Sequence, residues 1–447
     1  MAYTPHTPRD RELMLAAVGV ASVDELFDDI PPAVRSQRFE IPPPLTEQEV
    51  RAELSRLAGR NRLAQISFLG VGAYRHLVPA VVGEVIGRPE FATSYTPYQP
   101  EVSQGTLQSI YEFQSLICEL TAMEIATASH YDGATATAEA ALMACRLTRR
   151  ERVVVSVAVA AEVRRVLTTY CSGPGIEVVE LGADTADGGS GLTDIEAARE
   201  LTDASVACIV AAQPNAFGGI EPMGELAEIA HAAGAQLVAV VEPTSLALLA
   251  PPGSYGADIV AAEGQPLGIP LSYGGPYVGL MAARAELVRQ MPGRLVGATQ
   301  DAQGRKGYVL TLQAREQHIR REKAASNICT NQALCALAAT TYLAAVGPDG
   351  LREVAELSTI QTRHLAATLE ERGLARRRFT APYFAEVAMV VSDAARRHVA
   401  LAEQGIVAGY LMERDDPTLR DTLLFACTEL TTDAEIGALA DALEALP

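Results

Sequence analysis

A chain of 447 residues is too long for one ordinary core and predicts two or three domains, and 49% hydrophobic with 20% charged residues lies in the globular range. A formal charge of −19 argues against a nucleic-acid partner, because phosphate backbones attract an excess of Lys and Arg, and leaves small molecules and proteins as the expected partners. Seven scattered cysteines without a CxxC pair read as reduced, packed thiols. Asp10, Arg11 and Glu12 near the start, with no apolar signal core after them, argue against secretion or a membrane and for a cytoplasmic protein.

Residues 1–60 read as a helical, Pro-punctuated arm. Ser22-Val23-Asp24-Glu25 and Thr46-Glu47-Gln48-Glu49 are capping-box patterns at helix starts, joined by the extended prolines of Ile30-Pro31-Pro32 and Ile41-Pro42-Pro43-Pro44. Such a segment cannot build its own core, so it is expected either to pack on a larger body or to clasp a partner subunit.

Residues 61–345 read as a large α/β domain. Gly105–Thr121 has helical apolar spacing, and Ala136–Arg149 is a second helix. The run 152–157 is continuously β-branched, which marks a strand buried on both faces, and 177–181, 206–211, 236–241 and 258–261 read as further strands. Helical stretches at 162–169, 194–201 and 224–233 alternate with them, so one mostly parallel sheet is predicted. Tyr277–Met281 adds a strand. The charged stretch Gln313–Lys323 reads as a solvated helix, or as a basic docking surface through Arg315, His318, Arg320 and Arg321. An Ala-rich helix over 332–345 is expected to stop at Gly347-Pro348. Residues 346–447, with short strands at 385–391 and 422–427, read as a smaller C-terminal α+β domain.

No GxGxxG follows a strand, no P-loop motif occurs, and the dispersed histidines with no HExxH argue against a metal site. A type I pyridoxal-phosphate (PLP) site needs an anion-binding helix N-terminus, a strand-end carboxylate for the pyridine nitrogen and a Schiff-base lysine. Gly133, Ala134 and Thr135 after Asp132 offer the first, although on local grounds a simple Asp-Gly turn capping a helix is the favoured reading. Glu242, after the 236–241 strand, offers the second. The third is missing: 262–268 reads Ala-Glu-Gly-Gln-Pro-Leu-Gly, and the chain's two lysines, Lys306 and Lys323, fall in an expected surface turn and a charged face.

Longer strings carry a resemblance. Ala92 to Gly105 (ATSYTPYQPEVSQG), Tyr131–Thr135, Glu263–Gly268 and Leu312–Ala324 with Ser326–Gln332 resemble the glycine cleavage P-protein family, and the resemblance runs from about residue 5 to the end. It implies a type I PLP-dependent transferase fold, like that of aspartate aminotransferase. It further implies the lysine-less alpha type of the family's two-subunit layout, with PLP carried by a beta subunit, an alpha2beta2 assembly and a lipoylated H-protein as acceptor. Glycine would lose its carboxylate as CO2 and pass its aminomethyl group to the lipoyl arm. Gly133, Ala134, Thr135 and Glu242 would then be vestigial. Tyr95, Thr96, Tyr98, Gln99 and Glu101, stiffened by Pro97 and Pro100, are either a packed turn or rigid donors placed at the glycine end of the partner's site. The alternative function is a non-catalytic scaffold or regulatory relative.

Overall fold

The computed structural model describes residues 5–35, 41–61 and 64–446. The chain falls into two units, residues 1–62 and 63–447.

In the first unit, helix α1 (Pro8–Val18) begins on Thr7, whose hydroxyl caps the Asp10 N–H while Asp10 returns the bond. Helix α2 (Glu47–Ala58) begins on Thr46 with Glu49 closing the box. The Ser22–Glu25 pattern starts only the single 3-10 turn Asp24–Phe27. Residues 36–40 of the expected connector lie outside the described residues.

The second unit is built on a seven-stranded sheet. Its strands are β1 (Ile125–Ala126), β2 (Arg152–Ser156), β3 (Glu177–Leu181), β4 (Val206–Gln213), β5 (Gln236–Val241), β6 (Ile259–Glu263) and β7 (Gly279–Ala283), in the order β1-β7-β6-β5-β4-β2-β3. β7 runs antiparallel to β6 and β1, and the other pairs are parallel. Each residue of β4 is buried, as its unbroken apolar run requires. The helices α3 (Gln104–Thr121) and α4 (Gly133–Thr148) pack on this sheet, and the Ala-rich face of α4 lets helix and strands approach closely.

Three local expectations are corrected. The stretch 313–323 is not one solvated helix. It is a 3-10 turn, one helical turn (Gln317–Arg320) and a second 3-10 turn, because Glu316 is drawn inside and Arg315 spends its guanidinium on the carbonyls of Leu312 and Gly293. Lys306 opens a strand, Lys306–Thr311, paired antiparallel with Leu295–Gln300; this hairpin was not foreseen. Gly347 (φ 63°, ψ −175°) breaks the helix as expected, but Pro348 at once starts a new one, so helix α5 (Ala333–Glu371) continues past the break. Beyond it, strands from residues 376–426 form a four-stranded antiparallel sheet covered by the C-terminal helix α6 (Asp433–Ala445).

Candidate functional site

The carboxyl ends of β4, β5 and β6 and the start of α4 enclose a cavity of about 320 Å³, the place where open α/β sheets bind ligands. Asp132 caps α4: its carboxylate accepts the Thr135 N–H at 2.7 Å and the Thr135 hydroxyl at 2.9 Å. The Gly133 N–H, the donor that would meet an anion, goes to Glu263 Oε2 at 2.9 Å, and the other Glu263 oxygen accepts the Gln265 N–H at 3.0 Å. Burial pushes the Glu263 carboxyl up to about 7, against the pull of those N–H bonds. A Cβ on Gly133 would lie 2.6 Å from the Glu263 nitrogen, so only glycine permits this approach. Ala134 lines the cavity beside them.

Glu242 lies at the end of β5, as read from the sequence. Its carboxylate is folded onto the 3-10 turn Pro243–Ala247, accepting the N–H groups of Thr244 (3.0 Å) and Ser245 (2.7 Å) and the Thr244 hydroxyl (2.7 Å). Burial raises its proton affinity. A further acid was missed by sequence reasoning. Glu386, far off in the chain, accepts the Val71 N–H at 2.8 Å and the Tyr74 hydroxyl at 3.0 Å, and burial moves it up to about 7. No local pattern could have found it, since its partners are 312 and 315 residues away.

The segment after β6 is closed. Gln265 is 1% exposed; its Oε1 accepts the Tyr74 N–H at 2.7 Å, and its Nε2 donates to the carbonyls of Tyr74 (2.9 Å) and Ile269 (2.7 Å). Five acidic side chains line the cavity (Asp132, Glu162, Glu242, Glu263, Glu386), and among the described residues no lysine, arginine or histidine does. PLP does not fit these residues. Its phosphate would displace Glu263 from the helix N-terminus into like charge, and no lysine reaches the cavity. Lys306 is at the strand edge, its ammonium 5.3 Å from the Tyr308 ring and 5.8 Å from that of Tyr111, and Lys323 is exposed in a 3-10 turn.

The Tyr95–Glu101 segment forms a second candidate region. Pro97 is buried and fixes the turn, with the Tyr98 N–H bonded to the Thr96 carbonyl at 2.9 Å. Its far end is riveted by Gln104, which accepts the Tyr308 N–H at 2.9 Å and donates to the carbonyls of Pro100 (2.7 Å) and Tyr308 (2.9 Å). Tyr95 is 76% and Tyr98 47% exposed; Gln99 and Glu101 also face outward. Thr96 and Tyr98 meet a residue that the sequence did not flag, Arg294. Its guanidinium is buried, 3.4 Å from the Thr96 hydroxyl, 3.2 Å from the Tyr98 hydroxyl and 3.5 Å from Glu316. Its only local signal was an arginine placed directly before the apolar pair Leu295-Val296.

Comparison with known proteins gives the family. The family model described as "Glycine cleavage system P-protein" matches residues 1–443. The chain is 51% identical to the probable glycine dehydrogenase (decarboxylating) subunit 1 of Moorella thermoacetica over 100% of both chains. It is 46% identical to the protein of that name from Anoxybacillus flavithermus, over 98% of this chain and 97% of that one. A crystal structure of glycine decarboxylase (P-protein) of the glycine cleavage system, in inhibitor-bound form, superposes with a TM-score of 0.91 at 45% identity, covering 99% of each chain. A sphingosine-1-phosphate lyase from Burkholderia pseudomallei, at a TM-score of 0.68 and 16% identity over 92% of this chain and 93% of that one, shares the fold alone. The fold is that of the type I PLP-dependent transferases, a mostly parallel seven-stranded sheet with helices against it. By full-length match to its model and its relatives, the chain belongs to the glycine cleavage system P-protein family.

Proposed function

We propose that this chain is the PLP-free subunit of a two-subunit glycine dehydrogenase (decarboxylating). The observation that carries the reading is the closed segment after β6, where a Schiff-base lysine would be expected: Gln265 is sealed by Tyr74 and Ile269, and Glu263 occupies the anion end of the cavity. The relatives' name, subunit 1, supports a second subunit. In this reading the second subunit holds PLP, which supplies an electron sink for decarboxylation when bound there. The present chain contributes Tyr95, Thr96, Tyr98, Gln99 and Glu101 to the glycine end of the shared site. The assembly is alpha2beta2, the aminomethyl group goes to the lipoyl arm of H-protein, and the setting is cytoplasmic, in keeping with seven free thiols.

Purified alone and mixed with PLP, the chain should yield no borohydride-trapped pyridoxyl lysine. Joined by its second subunit and H-protein, it should support glycine-dependent CO2 exchange. A trapped Lys306 or Lys323, or full activity from this chain alone, would overturn the reading. The scaffold alternative would leave exchange unchanged when Tyr95 or Tyr98 is replaced.

A further inference from the structure

Two segments remote in sequence converge on one buried cation. Arg294 is 2% exposed, and its nearest carboxylate, Glu316, is 6% exposed. An arginine–glutamate pair buried this deeply is costly to desolvate, and an apolar pair of similar volume would pack at least as favourably, so stability does not account for it. The geometry shows what else the guanidinium does. Its fork reaches Tyr98 and Thr96, 196 and 198 residues away in sequence, at 3.2 and 3.4 Å, and its carbon lies 5.4 Å from the Tyr98 ring centre. His318 meets the same ring edge-on with centroids 5.8 Å apart, and its Nδ1 lies 3.5 Å from the Glu316 oxygen that faces Arg294. The Tyr98 ring is therefore fixed by one cation and by the partner of that cation's counter-ion.

Guanidinium has donors only, so both hydroxyls must accept from it. A hydroxyl whose oxygen accepts in this way has its own hydrogen left to donate elsewhere. Tyr98 is half exposed, so the free O–H has an open side.

We propose that Arg294 is a positioning residue for substrate recognition: neutralised by Glu316, it orients the Tyr98 and Thr96 hydroxyls so that their hydrogens are presented to the carboxylate of a small α-amino acid held at the interface with the second subunit. The inference rests on the function proposed above, with glycine as that amino acid. Lysine cannot replace arginine in this role, because a single ammonium lacks the planar fork that spans two hydroxyls and a carboxylate.

The test uses the assembled two-subunit enzyme with H-protein and measures glycine-dependent CO2 exchange over a range of glycine concentrations. Arg294→Lys keeps the charge and the pair with Glu316. It should raise the glycine KM about tenfold, the loss expected for roughly one hydrogen bond to a charged group, with kcat changed less than about threefold and the KM for H-protein unmoved. Tyr98→Phe should give a similar glycine KM, and the double variant should be little worse than either single, since both act on one contact. An unchanged glycine KM in Arg294→Lys, additive effects in the double variant, or a loss confined to kcat and melting temperature would each overturn the inference. If Arg294→Lys does not assemble, Tyr98→Phe combined with Thr96→Val, which leaves the buried pair intact, decides: a raised glycine KM upholds it and an unchanged one overturns it. A wild-type assembly that does not exchange CO2 with glycine defeats the proposed function itself, an outcome distinct from all of these.

Discussion

The Glu263 carboxylate receives the Gly133 N–H at 2.9 Å, so the first turn of α4 is satisfied by an anion from within the chain. A helix N-terminus favours negative charge through its free N–H groups and its dipole. Here Glu263, the last residue of β6 and two residues before Gln265, supplies the carboxyl group. The cavity has the position of a ligand site, and its walls carry five acidic side chains.

Placing a lysine at residue 265 should therefore not create cofactor binding. Gln265→Lys would remove the acceptor of the Tyr74 N–H and place an ammonium among the carbonyls of Tyr74 and Ile269. Breaking a fully used buried amide in this way costs about 2–4 kcal/mol. Denaturant unfolding should show that loss, and borohydride treatment with PLP should trap nothing at residue 265. A stable variant carrying a trapped pyridoxyl group would refute the closed-site account.

Gly133→Ala tests the same junction from the helix side. The added methyl would sit 2.6 Å from the Glu263 nitrogen and 2.8 Å from its Cα, both backbone atoms that cannot swing away. Overpacking of this kind costs about 1–3 kcal/mol, so the midpoint in urea should fall with an unchanged slope. An unaltered midpoint would mean that α4 and β6 are not held as described.

Glu386 makes stability depend on pH. Burial moves its carboxyl from 4.5 to about 7, so between those values the folded chain holds a proton that the unfolded chain has lost. Stability from this group is full below 4.5 and falls as pH rises through about 7, by on the order of 3 kcal/mol if the whole shift is expressed. Glu386→Gln mimics the protonated form. Its unfolding free energy should match the wild type near pH 5 and exceed it by about 2–3 kcal/mol at pH 8. An equal difference at both pH values would sink this assignment.

Tyr95→Ala separates interface from core. The side chain is 76% exposed in this chain, and a substitution at such a site moves stability by less than about 0.5 kcal/mol. Unfolding of the isolated chain should be unchanged, whereas CO2 exchange by the assembled enzyme should drop about tenfold or more. If turnover is also unchanged, Tyr95 plays no part in the shared site.

What could be read without coordinates follows from how local each signal is. The strands of the sheet announced themselves because residues buried on both faces are apolar without interruption, as in Val206–Gln213. The Leu295–Thr311 hairpin did not, because it turns exposed and polar toward Gln300, with no continuous run or clean alternation to mark it. Charge in 313–323 suggested a solvated helix, but one member, Glu316, is consumed by Arg294 inside the fold. The missing lysine was visible as an absence. How the segment after β6 is closed was not, since Gln265 and Tyr74 are 191 residues apart and the Gly133–Glu263 bond spans 130. Likewise the motif Tyr95–Glu101 was conspicuous as a string, while the arginine that organises it lay nearly two hundred residues downstream.

The amide of Gln265 has a consequence for how such a subunit can change over time. Substituting a lysine there costs stability and gains no chemistry while Glu263 holds the helix end. Removing Glu263 first leaves the N–H groups of Gly133 and Gln265 without their acceptor. No one-step path leads toward self-sufficiency, because each first step is a loss. If a second subunit carries the cofactor, as proposed, that division of labour is a ratchet kept in place by the cost of reversal.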